Sequence, residues 1–301
     1  MQVERENFLA CCRFGFFEKP TPDLAVSIES IGTDLPEYKI TLRDNVYWQP
    51  LEASWFPSSI KLDPIFFEKK QVTAHDIKFF FDACMNPYVS EPGAVSLRNY
   101  IDDIKEVEVV DDLTLIVRWK TKKYIALLNT LMLRPLPRHI YQYFPDGSKI
   151  VENEKPDTYR TSSLWALNFS NHWAKNIIVS CGAFAFDGMT ERGIKFKRNP
   201  DHYFPLDALV DGYEIDFRNS NESIWKSFKE GSIDTYVVRP DQLYELEQFL
   251  SSTAYAEQHF RVNQISYISR SYTYIGWNET NPLFQNKRVR QALTMSIDRD
   301  R

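Results

Sequence analysis

The chain has 301 residues, enough for one large domain or two medium ones with a sizeable core. A net charge of -5 with no basic run argues against a nucleic-acid surface, and 10 glycines argue against a glycine-cradled phosphate site. No run of 18 apolar residues occurs, so no transmembrane helix is expected, while an aromatic content of 15% puts Tyr, Trp and Phe forward as packing or contact material.

In chain order, residues 1–20 mix Phe8, Phe14, Phe16 and Phe17 with charges and read as part of a strand without a clean period. Met1–Asn7 is too charged for a signal peptide, so the chain is either cytosolic or has its export segment outside these residues. Residues 37–43 alternate, with Tyr38, Ile40 and Leu42 on one face of a half-buried strand. Val46–Trp48 follows a turn, and 49–70, with Pro50, Pro57 and Pro64, reads as an insertion. Thr73 and Asp76 form a capping box for a helix whose buried face is Ile77, Phe80, Phe81 and Cys84, ended by Asn86 and Pro87. A short helix over 94–101 precedes a hairpin of 104–110 and 113–119, turned at Asp111 and Asp112. A helix is expected over 124–133, and 164–173 is ambiguous but can be helical.

Residues 145–163 are polar and turn-rich, as a boundary would be. Strands are expected at 183–186, 193–198, 211–218 and 233–238, with helices at 222–229 and 240–249 and a helix-closing glycine at Gly231. This order suggests a mixed sheet with helices packed on it. An aromatic strand over 272–278 then places Tyr272, Tyr274 and Gly276 on one face and Thr273, Ile275 and Trp277 on the other. The final helix, 286–299, carries a stripe of Val289, Ala292, Leu293 and Ile297. It meets Arg301 with no closing Gly, Asn or Pro, which favours a sequence trimmed at its ends, export segment included.

The chemistry-bearing residues are scattered. Cys11, Cys12, Cys84 and Cys181 form no CxxC and read first as buried small hydrophobes, with a disulfide among them as the alternative. No G-x-S-x-G or H-E-x-x-H occurs, and His75, His139, His172, His202 and His259 read as surface or structural histidines. The acidic pairs Asp102/Asp103, Asp111/Asp112 and Asp298/Asp300 would suit a glycosidase, but turn and solvated-face roles suit them better. No catalytic residue, metal site or cofactor is expected. The aromatics of 272–278 fit a core face or a ligand wall equally well, because the strand meets a domain boundary.

Five stretches in order then carry a resemblance. They are Tyr38–Trp48 (YKITLRDNVYW), Val72–Phe81 (VTAHDIKFFF), Glu108–Val117 (EVVDDLTLIV), Phe196–Tyr203 (FKRNPDHY), and Tyr274–Asn278 (YIGWN) with Val289–Arg299 (VRQALTMSIDR). The sequence resembles the extracellular solute-binding proteins of family 5, the dipeptide-, oligopeptide- and nickel-binding receptors of ABC importers. Two departures stand out: an Asp-Gly after the first strand becomes Trp48-Gln49-Pro50 and an insertion, and a Gly-rich turn becomes Ser180–Phe184.

The resemblance implies an α/β (mixed α+β) fold, a periplasmic-binding-protein-like first lobe with an inserted α+β subdomain and only the start of a second lobe. Residues 1–48 and 159–270 would be the first lobe, 49–158 the insertion, and 271–301 the crossing into the second. It further implies a non-enzymatic, monomeric receptor, periplasmic or a cell-surface lipoprotein. That receptor would capture peptides, pass them to membrane permease subunits, and line its cleft with Tyr272, Tyr274, Trp277 and Asn278. With most of the second lobe's contacts outside these residues, the fragment alone is expected to hold peptide weakly. A secreted glycosidase or peptidase is the alternative.

Overall fold

The computed structural model describes residues 12–13, 21–265 and 274–298, with the backbone alone at 12–13 and 21–22. Phe14, Phe16, Phe17, Cys11, Tyr272, Thr273 and Asp300 lie outside the described residues. The chain divides into two compact units, residues 1–219 and 220–301.

In the first unit, β1 (Cys12–Arg13) pairs with β2 (Thr21–Pro22). The main sheet holds β3 (Ala25–Ser30) and β4 (Glu37–Leu42). A small ladder joins β5 (Tyr47–Trp48) to β6 (Lys70–Gln71). Helices α1 (Ala74–Met85) and α2 (Pro92–Ile101) come next, then the hairpin β7 (Ile104–Asp111) and β8 (Thr114–Trp119). The main sheet is antiparallel throughout, in the order β3-β4-β8-β7. Alternation decides its faces: Ile40 stands opposite Leu115, and both are fully buried. On the same sheet Arg118 joins Glu37, Glu106 and Glu108, a charge ladder that fixes register at the strand ends.

Helix α1 is buried on two sides, and this corrects the expected face. Ile77, Phe81 and Cys84 enter the main core, whereas Phe79 and Ala83 enter a second cluster with Val89, Ile150, Tyr159 and Trp165. Phe80 is only half-buried. Its start is set by Asp76, whose carboxylate accepts from the Thr73 backbone N–H at 2.9 Å. The helix expected over 124–133 shortens to α3 (Ala126–Thr130), leaving Tyr124 fully exposed before it. The ambiguous 164–173 stretch is helical over α4 (Ser163–Ser170), capped by Ser162 and held inward by fully buried Trp165.

A second sheet, in the order β11-β10-β9, is built from β9 (Phe184–Thr190), β10 (Gly193–Arg198) and β11 (Gly212–Asp216). Phe196 stacks on Tyr213 at 4.8 Å, and Phe184 meets the same ring edge-on at 4.9 Å. The ladder slips between Lys195 and Phe196, opposite Gly188 at φ +133°, a conformation side chains avoid.

The second unit is smaller. Helix α5 (Asn221–Lys229) is capped by Ser220 and buries Trp225 and Phe228 against Tyr236. Gly231 closes it at φ +69°. Residues 233–238 have the pattern of a strand; among the described residues they have no ladder partner, and the chain bends at Ile233 and Asp234, so the expected strand is not formed. Helix α6 (Leu243–Leu250) buries Leu246, and α7 (Lys287–Met295) is the last element of the described chain. The stripe of this last helix is not covered: Leu293 is 36% exposed and Ile297 40%.

Candidate functional site

The aromatic stretch singled out by the sequence lies in the second unit. Residues 274–278 run without a ladder partner among the described residues, so the expected strand is not formed there. Tyr274 is 75% exposed. Trp277 leans on Phe284 at 5.3 Å and 37°. Asn278 turns the chain: its side-chain oxygen accepts from the backbone N–H of Thr280 at 3.1 Å and from its hydroxyl at 2.7 Å. That oxygen is therefore spent on local geometry. Tyr272 lies outside the described residues.

Two further asparagines start the helical turns after Thr280. Asn281 accepts from Leu283 N–H at 3.0 Å, and Asn286 caps α7 by accepting from Arg288 N–H at 3.0 Å. Capping sets α7 so that Lys287, Arg290, Gln291, Thr294 and Met295 face Trp277 around an open hollow of about 450 Å³. Arg290 is steered by the carbonyls of Phe284 and Gln285 and by Glu279 at 3.4 Å. The result is an indole wall beside two cations. It suits non-covalent contact with an apolar or anionic group. Sequence reasoning finds Trp277 but misses Lys287 and Arg290. Their placement opposite the indole depends on the turn at Asn278, which no helical period reveals.

In the first unit, the departures at 49–50 and 180–184 meet. Gln49 N–H donates to Ser180 C=O at 2.8 Å. Its side-chain amide donates to Phe186 C=O at 2.7 Å and accepts from Phe186 N–H at 2.8 Å. Gln49 thus imitates a strand residue and closes the outer edge of β9 at Phe186. Ser180 Oγ accepts from Gly182 N–H at 3.0 Å and donates to Phe184 C=O, tightening the turn. This pairing is not legible from either segment alone.

Several titratable groups of this unit have structural partners. Asp76 accepts from Trp48 Nε1 at 3.3 Å and from Arg138 N–H at 3.2 Å besides its cap; burial raises its pKa, and these hydrogen bonds oppose the rise. His172 Nε2 donates to Tyr143 C=O at 3.2 Å, its Nδ1 accepts from Ala174 N–H at 3.1 Å, and burial pushes the ring down to about 4. Burial lowers His139, beside Trp48, to about 4 as well. His202 meets Asp207 at 3.1 Å, and His75 lies 3.5 Å from Asp112. Asp111 accepts from Leu113 N–H at 2.8 Å inside the hairpin turn, and Lys123 joins Asp103 at 2.6 Å and Asp102 at 3.6 Å. Cys84 and Cys181 are buried free thiols, and burial raises the pKa of both.

Antiparallel sheets flanked by helices make a mixed α/β fold, and solved structures of periplasmic binding proteins share it. Bacillus subtilis AppA, the oligopeptide-binding protein solved with a nonapeptide, matches 99% of this chain and 49% of its own at a TM-score of 0.68 and 20% identity. Campylobacter jejuni NikZ, solved with Ni(L-His), matches 80% of this chain and 39% of its own at a TM-score of 0.54 and 24% identity.

The chain belongs to the bacterial extracellular solute-binding proteins, family 5: the family model described as "Bacterial extracellular solute-binding proteins, family 5 Middle" matches residues 19–301. In sequence, Bacillus subtilis oligopeptide-binding protein AppA is 26% identical over 249 residues, 80% of this chain and 38% of AppA. The chain thus spans well under half the length of this relative.

Proposed function

We propose that the chain is part of the substrate-binding protein of an ABC importer, which captures peptides outside the cytoplasm and hands them to membrane permease subunits. The observation that carries this reading is family membership over residues 19–301, joined to an oligopeptide-binding relative aligned over 80% of the chain. Capture is non-covalent. A peptide is held through its backbone and by tolerant aromatic walls, with Tyr272, Tyr274, Trp277 and Asn278 as the proposed contacts. Lys287 and Arg290, facing Trp277 across the hollow, are added to that set.

The lobe scheme is proposed with it: 1–48 and 159–270 as the first lobe, 49–158 as the insertion, 271–301 as the crossing, with closure burying the ligand. Compactness divides the chain at 219/220, and the main sheet joins strands from 25–42 to strands from 104–119. The hydrolase alternative finds no support, because Asp102, Asp103 and Asp111 are engaged in ion pairs and a turn.

Isothermal titration of the whole gene product tests the reading, using pools of di- to nonapeptides against nickel–histidine and oligosaccharides. Saturable peptide binding that weakens in Trp277→Ala is the expected result. Binding of nickel–histidine or sugar, with no response to any peptide pool, would overturn it.

A further inference from the structure

The first unit carries an apolar tip that the ligand-binding reading does not use. Between β8 and α3 the chain turns at Tyr124, which is fully exposed. Ile125 and Leu128 beside it are 41% and 45% exposed, while Ala126 points inward and is fully buried. Their spacing sets Tyr124, Ile125 and Leu128 on the outward side of one turn. Tyr100, 48% exposed, stands at the adjoining end of α2, where its carbonyl accepts from Asn129 Nδ2 at 2.8 Å.

The tip has a cationic base. Residues 120–128 include Lys120, Lys122 and Lys123 and no acidic residue, in a chain whose net charge is -5, while Arg118 before them is taken up by Glu37, Glu106 and Glu108. Asp102 and Asp103 lie below it, and Lys123 engages both. Lys120 and Lys122 are exposed. Lys120 Nζ donates to the Asp102 carbonyl at 2.8 Å, and its charge also acts on the Asp103 carboxylate, which Lys123 already engages. The base is anchored, because Trp119 is buried and its Nε1 donates to Thr130 Oγ1 at 2.9 Å.

We propose that this tip is a lipid-contact site, in which Tyr124, Ile125 and Leu128 enter the interface of an anionic bilayer while Lys120 and Lys122 meet its head groups. Shape and charge favour lipid over a folded protein. A convex tip of three side chains offers far less than the roughly 800 Å² per partner of a stable protein interface. A bilayer deforms around such a tip, tyrosine suits its wet–apolar boundary, and exposed lysines add attraction to anionic lipid. The proposal is independent of which solute the protein carries.

Co-sedimentation of the 301-residue chain with vesicles tests it, comparing phosphatidylglycerol–phosphatidylcholine mixtures with phosphatidylcholine alone. Binding is expected to the anionic vesicles and to fall about tenfold in Tyr124→Ser/Leu128→Ser, and likewise in Lys120→Glu/Lys122→Glu. All four side chains are exposed, so these variants keep the fold, and an unchanged circular dichroism melt checks that. A Tyr124→Trp variant should gain fluorescence quenching by brominated lipid. Absence of binding to anionic vesicles overturns the proposal. So does binding that the Tyr124→Ser/Leu128→Ser variant retains, since that is charge attraction without insertion. Loss of a protein cross-link in the same variant, with no vesicle binding in the parent, would assign the tip to a protein partner instead.

Discussion

The two units hold themselves together in different ways. Residues 1–219 share a core that runs from Leu24 through Trp48, Phe81 and Trp119 to Phe196, built by pairing segments far apart in the chain. Among the described residues of 220–301 one small cluster is buried, around Trp225, Phe228 and Leu246, and the rest rely on neighbours in sequence. Most helices there, though not α6, begin on a nearby side chain: Ser220, Ser252, Asn281 and Asn286 each accept a backbone N–H that their helix leaves unpaired. The proposed ligand contacts thus sit in the unit held by local interactions, while the first unit supplies long-range rigidity. Local opening is the expected property of the former and global unfolding of the latter.

Removing a core ring from the first unit tests the comparison most severely. Trp165 is fully buried, donates to Tyr141 C=O at 2.9 Å, and packs on Phe79, Tyr159 and Phe169. Trp165→Ala should cost about 3–5 kcal/mol in urea denaturation, through lost burial and the cavity left behind. A cost below about 1 kcal/mol would mean that this cluster is not part of a cooperative core.

Acid should act next most strongly, and on the same unit. His172 and His139 are held down to about 4 in the folded chain against an ordinary 6.5. Between those values the unfolded chain binds more protons than the folded one, so their contribution is complete above 6.5 and lost as pH falls toward 4. The loss should be on the order of 2–3 kcal/mol per histidine. Asp76 and Asp82 run the other way, since burial raises both, and their destabilisation appears as pH rises above 3.8. Stability measured from about pH 7 down to about 4.5 should fall steeply in the parent and less steeply in His172→Gln. An unchanged slope in that variant would remove His172 from the account.

The same division explains what the sequence makes legible. Alternation locates β4, β8 and β10, and capping chemistry locates α1, because each signal lies within a few residues. Gly231 is readable for the same reason, as the one residue type that takes φ +69° cheaply. Residues 233–238 alternate as a strand would, yet a strand needs a partner, and pairing is not written in one segment. Phe79 and Phe80 cannot be told apart by period, because α1 is covered from two sides and the pattern implies a single amphipathic face. At the candidate site, Trp277 is recognisable as an aromatic, whereas the role of Asn278 as a turn residue comes only with Thr280. The closure of β9 by Gln49 joins residues 137 apart in sequence and has no local signature.

A smaller effect is expected at Gly231. A methyl group there would meet Phe260 Cε1 at 2.4 Å and Cδ1 at 2.6 Å, besides straining a left-handed backbone. Gly231→Ala should cost about 1–3 kcal/mol. If the units are held as described, hydrogen exchange should quicken across 221–260 and stay unchanged in the main sheet. Quickening in both would show that they open together.

The smallest effect is expected on α7. Leu293 lies on the stripe with Val289 and Ile297, yet it is 36% exposed and Ile297 is 40% exposed. Leu293→Ser removes an apolar side chain that is already partly in water, so the change should stay within about 0.5 kcal/mol, as at other surface positions. The sequence pattern alone would forecast a core position and a cost of about 2–5 kcal/mol for such a truncation. The two forecasts are far enough apart for one denaturation series to choose between them. Repeating it over a range of protein concentrations adds the cause. A large cost that grows with concentration would mean that a second copy covers the stripe, and a large cost independent of concentration would mean that the chain itself does. Either outcome would make the second unit more than locally held, and Trp277 would then rest on a buried rather than an open helix.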